Sequence, residues 1–273
     1  MTTPADFMAA APAPLNGSSP WAARYAAELR RVVTEHAARA PRQLQVHLGP
    51  SELGHVCDRQ VVGKMAGLPV TNHVSDPWPS IVGTAVHAWM AEAFTGDNAR
   101  RGVRWVPEQR VTPHPDHPGT ADLYDGLEQA LVDHKVLGPT SMAKVRSPEG
   151  PARHYLVQLL LYGRGYRLLG LPVRRVVLAA WPRTGSSLDG LYVWEREHSP
   201  ADDALLEQVF TQTAARAAAA VAVHDGRLDI SQIPNTPDAD ACFFCPLYRP
   251  QASRDDLYGC PGTVHTPLST VQR

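Results

Sequence analysis

The chain has 273 residues, 44% of them hydrophobic, with 26 Lys and Arg against 27 Asp and Glu for a formal net charge of -1. That apolar content is enough for one substantial core with a small appended lobe, and the absence of any run of about 18 apolar residues argues against a transmembrane helix. The near-neutral balance neither demands nor excludes a polyanionic partner, because a groove can be basic while the whole molecule is not.

The opening MTTPADFMAAAPAPLNGSSP has neither a basic n-region nor an apolar h-region, so it does not read as a signal peptide, and a cytoplasmic protein with no membrane association is expected. Residues 1–19 are Ala/Pro/Ser-rich without periodicity and read as a disordered tail. Trp21 to about Ala40 reads as a helix with Trp21, Tyr25, Leu29 and Val32 or Val33 on one side. In LGPSELGHVCDRQVVGKMAG, Ser51 is expected to cap a short helix that carries Cys57. Residues 72–79 read as a loop and 80–94 as a helix with Ile81, Val82, Ala85, Val86, Trp89 and Met90 on its apolar stripe. Strands are predicted at about 103–112, 119–125 and 129–136, the last two joined through Gly126 as a hairpin. Residues 138–150 read as a flexible loop, and HYLVQLLLYGRGYRLLG as a helix ending at Gly170. VRRVVLAAWP and GLYVWERE are strands, residues 200–224 an Ala-rich amphipathic helix, and the remainder a loop-rich tail. This order argues for an α/β (α+β) core with a central mixed sheet flanked by helices. The expected organisation is a tail (1–19), one domain with an N-terminal helical part (20–230) and a Cys-rich C-terminal region (231–273) that acts together with Cys57.

The hairpin GTADLYDGLEQALVDHK carries unusual chemistry for a strand pair. Alternation places Leu131, Asp133 and Lys135 on one face and Val132, His134 and Val136 on the other. Asp122 lies on the adjoining strand, and two carboxylates meeting across strands repel unless a cation lies between them. Hard divalent ions such as Mg²⁺ and Mn²⁺ take such oxygen ligands. Two carboxylates, a divalent metal and a lysine together suit phosphodiester hydrolysis: the metal polarises phosphoryl oxygens and acidifies a bound water, and lysine orients that water or stabilises developing charge. On these residues alone, a surface hairpin in which Asp133 pairs with Lys135 or an arginine fits equally well. His87 lies on an apolar helix where a histidine commonly packs, and Gln158 and Tyr162 form an i, i+4 pair that commonly packs too.

Cys57, Cys242, Cys245 and Cys260 are the four cysteines. In a reducing compartment they suit one shared site better than two disulfides. Four thiolates fit either tetrahedral Zn²⁺ or an iron–sulfur cluster. Linking Cys57 to the tail closes a very long loop, at a cost that grows only slowly with length.

Taken in order, GTAVH, GTAD, VDHK and QLLLY resemble the G-x-x-x-H, G-x-x-D, D-x-K and Q-x-x-x-Y motifs of RecB-like PD-(D/E)XK nucleases. With the flanking cysteines, the sequence looks like the fourth CRISPR-associated (Cas) Fe–S exonuclease family and its phage-encoded relatives, over about residues 48–262. The resemblance implies a restriction-endonuclease-like core with a four-cysteine Fe–S region joining N- and C-terminal parts. It implies His87, Asp122 and Asp133 as ligands of Mg²⁺ or Mn²⁺, with Glu108 either a further ligand or a surface residue. It implies Lys135 as the catalytic lysine, with Gln158 and Tyr162 placing the scissile strand or supporting the lysine. The cysteines would hold a 4Fe–4S cluster, with Zn²⁺ as the alternative. The implied activity is a metal-dependent DNA exonuclease on single-stranded ends in recombination, repair or end processing, alongside recombination or CRISPR-adaptation-like proteins, with room for an oligomer. The competing readings are a non-catalytic DNA-binding or assembly module of the same fold and a zinc-stabilised endonuclease. Arg100, Arg101, Arg104, Lys144, Arg146, Arg153, Arg164 and Arg167 are candidate phosphate contacts, loop 138–150 a candidate closure over a single strand, and Trp78 and Trp105 candidate stacking partners for bases.

Overall fold

A computed structural model describes residues 19–39, 48–72, 76–237, 242–252 and 259–262. The expected tail lies outside these residues apart from Ser19. The chain divides into two units, Met1–Gln45 and Val46–Arg273, and the division falls inside the segment 20–230 expected to form one domain.

In the first unit, α1 (Pro20–Ala38) starts with Pro at its first position, and the Ser19 side chain accepts a hydrogen bond from the Ala22 amide. Trp21 stacks on Tyr25 with ring centroids 5.0 Å apart, and Arg31 pairs with Glu28 and Glu35 at helical spacing.

The second unit holds α2 (Pro50–Leu53), α3 (Asp58–Met65), α4 (Trp78–Arg101), β1 (Trp105–Val111), β2 (Gly119–Asp125), β3 (Ala130–Leu137), α5 (Pro139–Arg146), α6 (Arg153–Leu168), β4 (Arg175–Pro182), β5 (Tyr192–Glu197) and α7 (Pro200–His224). The five strands form one mixed sheet in the order β1-β2-β3-β4-β5. Only β3 and β4 run parallel, because α6 connects them as a crossover; the other pairs are antiparallel.

Helices cover both faces. Phe94 of α4 stacks on His134 of β3 on one face. On the other, Tyr166 of α6 stacks on Tyr124 of β2, and Leu131, Val157, Leu160, Leu161, Val176, Leu178, Leu206 and Val209 join them in the main core. α6 is buried from Val157 to Tyr166, Arg164 apart, because it lies between sheet and α7. It stops where Leu169 leads into Gly170, whose φ of +82° reverses the chain at little cost.

Three local expectations change. Ser51 is not the cap: Gly49 precedes α2, Pro50 occupies its first turn, and Cys57 itself caps the separate helix α3. The break falls at Gly54-His55, where His55 Nδ1 accepts from the Cys57 amide at 3.1 Å. Residues 138–150 are not a loop throughout, since α5 forms there with Met142 and Val145, one turn apart, both buried in the core. α4 also runs seven residues past the expected end at Phe94, to Arg101, where Gly102 closes it.

Candidate active site

The site lies where β1, β2 and β3 lose regular pairing. β2 and β3 are paired at Asp125↔Ala130, Tyr124↔Leu131 and Leu123↔Val132, and there the ladder stops. The next position on that register sets Asp122 opposite Asp133. Instead of continuing the ladder, the Asp122 carboxylate accepts the His134 backbone amide at 2.7 Å. On the other side of β2, the β1 ladder skips the position between Pro107↔Leu123 and Gln109↔Ala121. Glu108 sits at that gap, opposite Asp122, with φ +51°. A left-handed backbone at a non-glycine residue is strained by about 1–3 kcal/mol, and such strain concentrates at functional sites.

His87 enters from α4. Its Nδ1 lies 3.3 Å from Asp122 Oδ1, and the ligand atoms of His87, Glu108 and Asp122 all lie within 4.8 Å of one another. Lys135 and Asp133 form an ion pair beside this cluster, Nζ to Oδ2 2.6 Å. Asp133 is 1% exposed, and its Oδ1 has no hydrogen-bond donor among the described residues. A buried carboxylate oxygen without a donor is costly unless a cation meets it. The donor set, one imidazole and oxygens, suits Mg²⁺ or Mn²⁺; Asp133, expected as a ligand, is not part of that close group.

The charges are strongly interdependent. Burial pushes the Asp133 carboxyl up to about 6, against the pull of Lys135. For Asp122, burial acts upward too, but its bond with His87 and the Lys135 charge outweigh it and hold it below 3.8. The same Asp122 bond holds the His87 imidazolium above its ordinary value, against burial. Burial and the Asp122 charge raise Glu108. Burial would lower Lys135, but Asp133 and Asp122 reverse this and keep it protonated. His134, buried on the α4 face, is pushed down to about 4 and stays neutral.

Gln158 and Tyr162 are both buried on α6, bonded to each other, and Tyr162 feels the Asp133, Asp122 and Lys135 charges. A Cβ at Gly119 would come within 2.8 Å of the Tyr162 ring, so the start of β2 needs a residue without one. The sequence reading did not assign Tyr155, whose ring lies 5.5 Å from Lys135 Nζ. Its spacing was available as a signal, since residues 155, 158 and 162 fall on one helix face. It also did not assign Trp181, whose indole N–H donates to His134 Nδ1 at 3.3 Å.

Asp125 has a structural task. It takes Arg104 through both guanidinium contacts, 2.9 and 2.6 Å, and accepts the Leu127 and Glu128 amides, closing the β2–β3 turn. Most of the expected phosphate-binding residues are engaged within the chain. Arg104 holds Asp125, Arg100 and Arg101 face Asp97, Arg164 pairs with Glu207, and Arg167 with Asp203. Arg146 and Arg153 donate to the Gly190 and Gly54 carbonyls. Trp105 is likewise committed, its indole bonded to Asp97 and packed on Phe94, while Trp78 is exposed.

Cys57, Cys242, Cys245 and Cys260 line one cavity together with Arg59, Asn235 and Tyr248, and none is in a disulfide. Arg59 Nη1 and Asn235 Nδ2 approach Cys260 Sγ at 3.6 and 3.8 Å. Burial, together with the other three sulfurs, pushes the Cys245 thiol up to about 11. Four sulfurs facing one space, with no other side chain of that chemistry among them, fit a thiolate-bound metal group.

No protein-family model matches the chain, and no curated protein matches it. Among solved structures, it is similar to an alkaline exonuclease from Laribacter hongkongensis at 11% identity and TM-score 0.44, covering 67% of this chain and 91% of that one. A structure of that exonuclease with dAMP gives 11% identity and TM-score 0.43 over the same shares. A phage-related exonuclease from Haemophilus somnus 129PT gives 13% and 0.38, covering 62% of this chain and 81% of that one. The geometry of the site, rather than this likeness, carries the functional reading.

Proposed function

We propose that the chain is a divalent-metal-dependent deoxyribonuclease of the PD-(D/E)XK type, acting as an exonuclease on single-stranded DNA ends. The observation that supports it most is the His87–Glu108–Asp122 donor cluster beside the buried Asp133–Lys135 pair. His87, Glu108 and Asp122 would hold the cation, with Asp133 offering its free oxygen. A bound Mg²⁺ or Mn²⁺ supplies Lewis-acid polarisation of the phosphodiester and a water acidic enough to attack at neutral pH.

The protein's own groups do the rest. Lys135, kept protonated by Asp133 and Asp122, donates from Nζ toward the phosphoryl oxygens, where negative charge accumulates in the transition state. Asp133 fixes that ammonium in place, and the Tyr155 ring bounds its far side. Tyr162 and Gln158 hold the start of β2, and with it Asp122. The His134 amide directs one Asp122 oxygen, leaving the other toward His87. Water adds to phosphorus, the ester P–O bond breaks, and the departing oxygen takes up a proton.

The four cysteines would hold a 4Fe–4S cluster, with the Arg59 and Asn235 N–H groups directed at Cys260 sulfur in the manner that tunes such clusters. Anaerobically purified protein is then brown, with iron and acid-labile sulfide; colourless protein with one zinc per chain replaces the cluster by zinc.

The test of activity uses labelled single-stranded DNA with free ends and a circular single strand, each with Mn²⁺ and with EDTA. Degradation of the free-ended strand alone, only with metal, and lost in Asp133→Asn and Lys135→Met, is the expected outcome. Cleavage of the circle makes the enzyme an endonuclease. Binding without cleavage supports the non-catalytic DNA-binding module.

A further inference from the structure

Only the backbone amide of His134 has a part in the mechanism above; its side chain has none. That imidazole is 3% exposed and lies among three other rings. Phe94 stacks on it with centroids 5.7 Å apart, Trp181 meets it at 5.9 Å and 65°, and His87 meets it edge to face at 6.2 Å and 80°. The sequence brings these rings together. His87 and Phe94 are about two helical turns apart and share one side of α4. In the parallel β3–β4 ladder His134 is aligned with Ala179 and Val136 with Trp181. Trp181 is therefore the diagonal neighbour of His134 on the same sheet face, within reach of a large side chain.

A buried imidazole has two nitrogens to satisfy. The Trp181 indole N–H donates to Nδ1 at 3.3 Å. An indole can only donate, so Nδ1 is the acceptor nitrogen and the ring is the neutral tautomer with its proton on Nε2. Nε2 has no partner among the described residues. A phenyl group in the same space would carry no such orphan and would be cheaper to bury. What the imidazole has and a phenyl lacks is the bond to Trp181, which fixes the turn of the ring. The ring so fixed packs on His87, whose Nδ1 lies 3.3 Å from Asp122 Oδ1. The orientation of a metal-binding histidine is set by the groups behind it, and those groups matter nearly as much as the ligands.

We propose that Trp181 and His134 are a positioning pair for the cation site: the indole bond locks the His134 ring, and that ring holds the His87 imidazole in the orientation in which it meets the cation beside Asp122 and Glu108. The inference rests on the reading of His87, Glu108 and Asp122 as cation ligands. Neither side chain of the pair touches the cation or the DNA; both act through His87.

The experiment uses the full chain without DNA and takes three readings: Mn²⁺ binding by titration calorimetry, thermal melting in EDTA, and the nitrogen NMR shifts of the His134 imidazole in EDTA. Wild type is expected to show His134 with its proton on Nε2. Trp181→Phe keeps an aromatic ring and removes the indole N–H. It should populate both His134 tautomers, weaken Mn²⁺ binding about 10- to 100-fold, and lower the melting temperature in EDTA by no more than about 4 °C, the cost of one hydrogen bond. His134→Phe removes the orphaned nitrogen, so it should melt in EDTA no lower than wild type while Mn²⁺ binding weakens by a similar factor. A merely structural role would move stability and affinity together. If Trp181→Phe melts far lower than expected, His134→Phe decides. A wild-type His134 protonated on Nδ1, or wild-type Mn²⁺ affinity in His134→Phe or in a well-folded Trp181→Phe, overturns the proposal. The two readings fail separately. Mn²⁺ binding indifferent to both substitutions removes the positioning pair and keeps the cation site, while a wild type that binds no Mn²⁺ removes the cation site and the pair with it.

Discussion

Glu108 offers a perturbation whose sign reverses with metal. Without a cation, its carboxylate faces Asp122, their ligand oxygens within 4.8 Å. At that separation two unit charges repel by about 1 kcal/mol in water-like surroundings and about 3.5 kcal/mol at an effective dielectric constant near 20. Glu108 is exposed, so the lower figure applies. Glu108→Gln keeps the shape and removes the repulsion, and should raise the melting temperature in EDTA by about 2–4 °C. Burial and Asp122 raise the Glu108 pKa above 4.5. The ionised form is thus the destabilising one: wild-type and variant stabilities converge below pH 4.5, and the gap opens as pH rises through the folded-state value. With Mn²⁺ at about a hundred times its dissociation constant, wild type gains about 2.7 kcal/mol, or about 5–10 °C. The variant has lost a ligand and gains much less, so the order of the two melting curves crosses between EDTA and Mn²⁺. Differential scanning calorimetry in both conditions, repeated at high salt to screen the exposed charges, reads the effect directly. A Glu108→Gln protein that melts lower in EDTA, or that gains as much from Mn²⁺ as wild type, refutes the placement of Glu108 against Asp122 and the cation.

Lys135→Met should reduce hydrolysis about 10²- to 10³-fold, the usual loss on removing one preorganised donor to a developing charge, with little change in oligonucleotide affinity; steady-state kinetics separates the two. Asp125→Ala removes a carboxylate that takes Arg104 and two turn amides, and should cost about 2–3 kcal/mol, lowering the melting temperature by about 4–12 °C while the folded enzyme keeps its activity. Although burial acts upward, Arg104 and the turn amides hold Asp125 below 3.8. Its contribution is present above pH 3.8 and lost as pH falls through the lower folded-state value, so wild type and Asp125→Ala should approach each other in acid. Cys57→Ser should reduce bound metal and sulfide, measured by elemental analysis on anaerobic protein, and leave hydrolysis by the folded fraction intact.

The hairpin was legible because strand alternation is rigid: placing Asp133 and Lys135 on one face requires only a period of two. The meeting of His87 with Asp122 was not readable from periodicity, since it depends on the packing of α4 over the sheet; motif order alone pointed to it. Glu108 was undecidable in sequence because its place opposite Asp122 comes with a backbone conformation, φ +51°, that its residue type disfavours. Residues 138–150 look like a loop because Gly138, Pro139, Pro148 and Gly150 dominate the local pattern, yet buried Met142 and Val145 make tertiary packing override it. The arginines illustrate the converse. Their charge is plain in sequence, but whether Asp97, Asp125, Asp203 and Glu207 neutralise it depends on contacts made in the folded chain.

The cavity of four sulfurs spans the sequence almost end to end. Arg59, two residues from Cys57, bonds the Ile233 and Ser231 carbonyls and reaches Cys260, 201 positions away. Cys242, Cys245 and Cys260 all follow every residue of the candidate site in sequence. A product cut short before Cys242 carries the whole His87–Lys135 site but one thiol of four. A group held by the four sulfurs would therefore report on a part of the fold that the residues of the candidate site do not need.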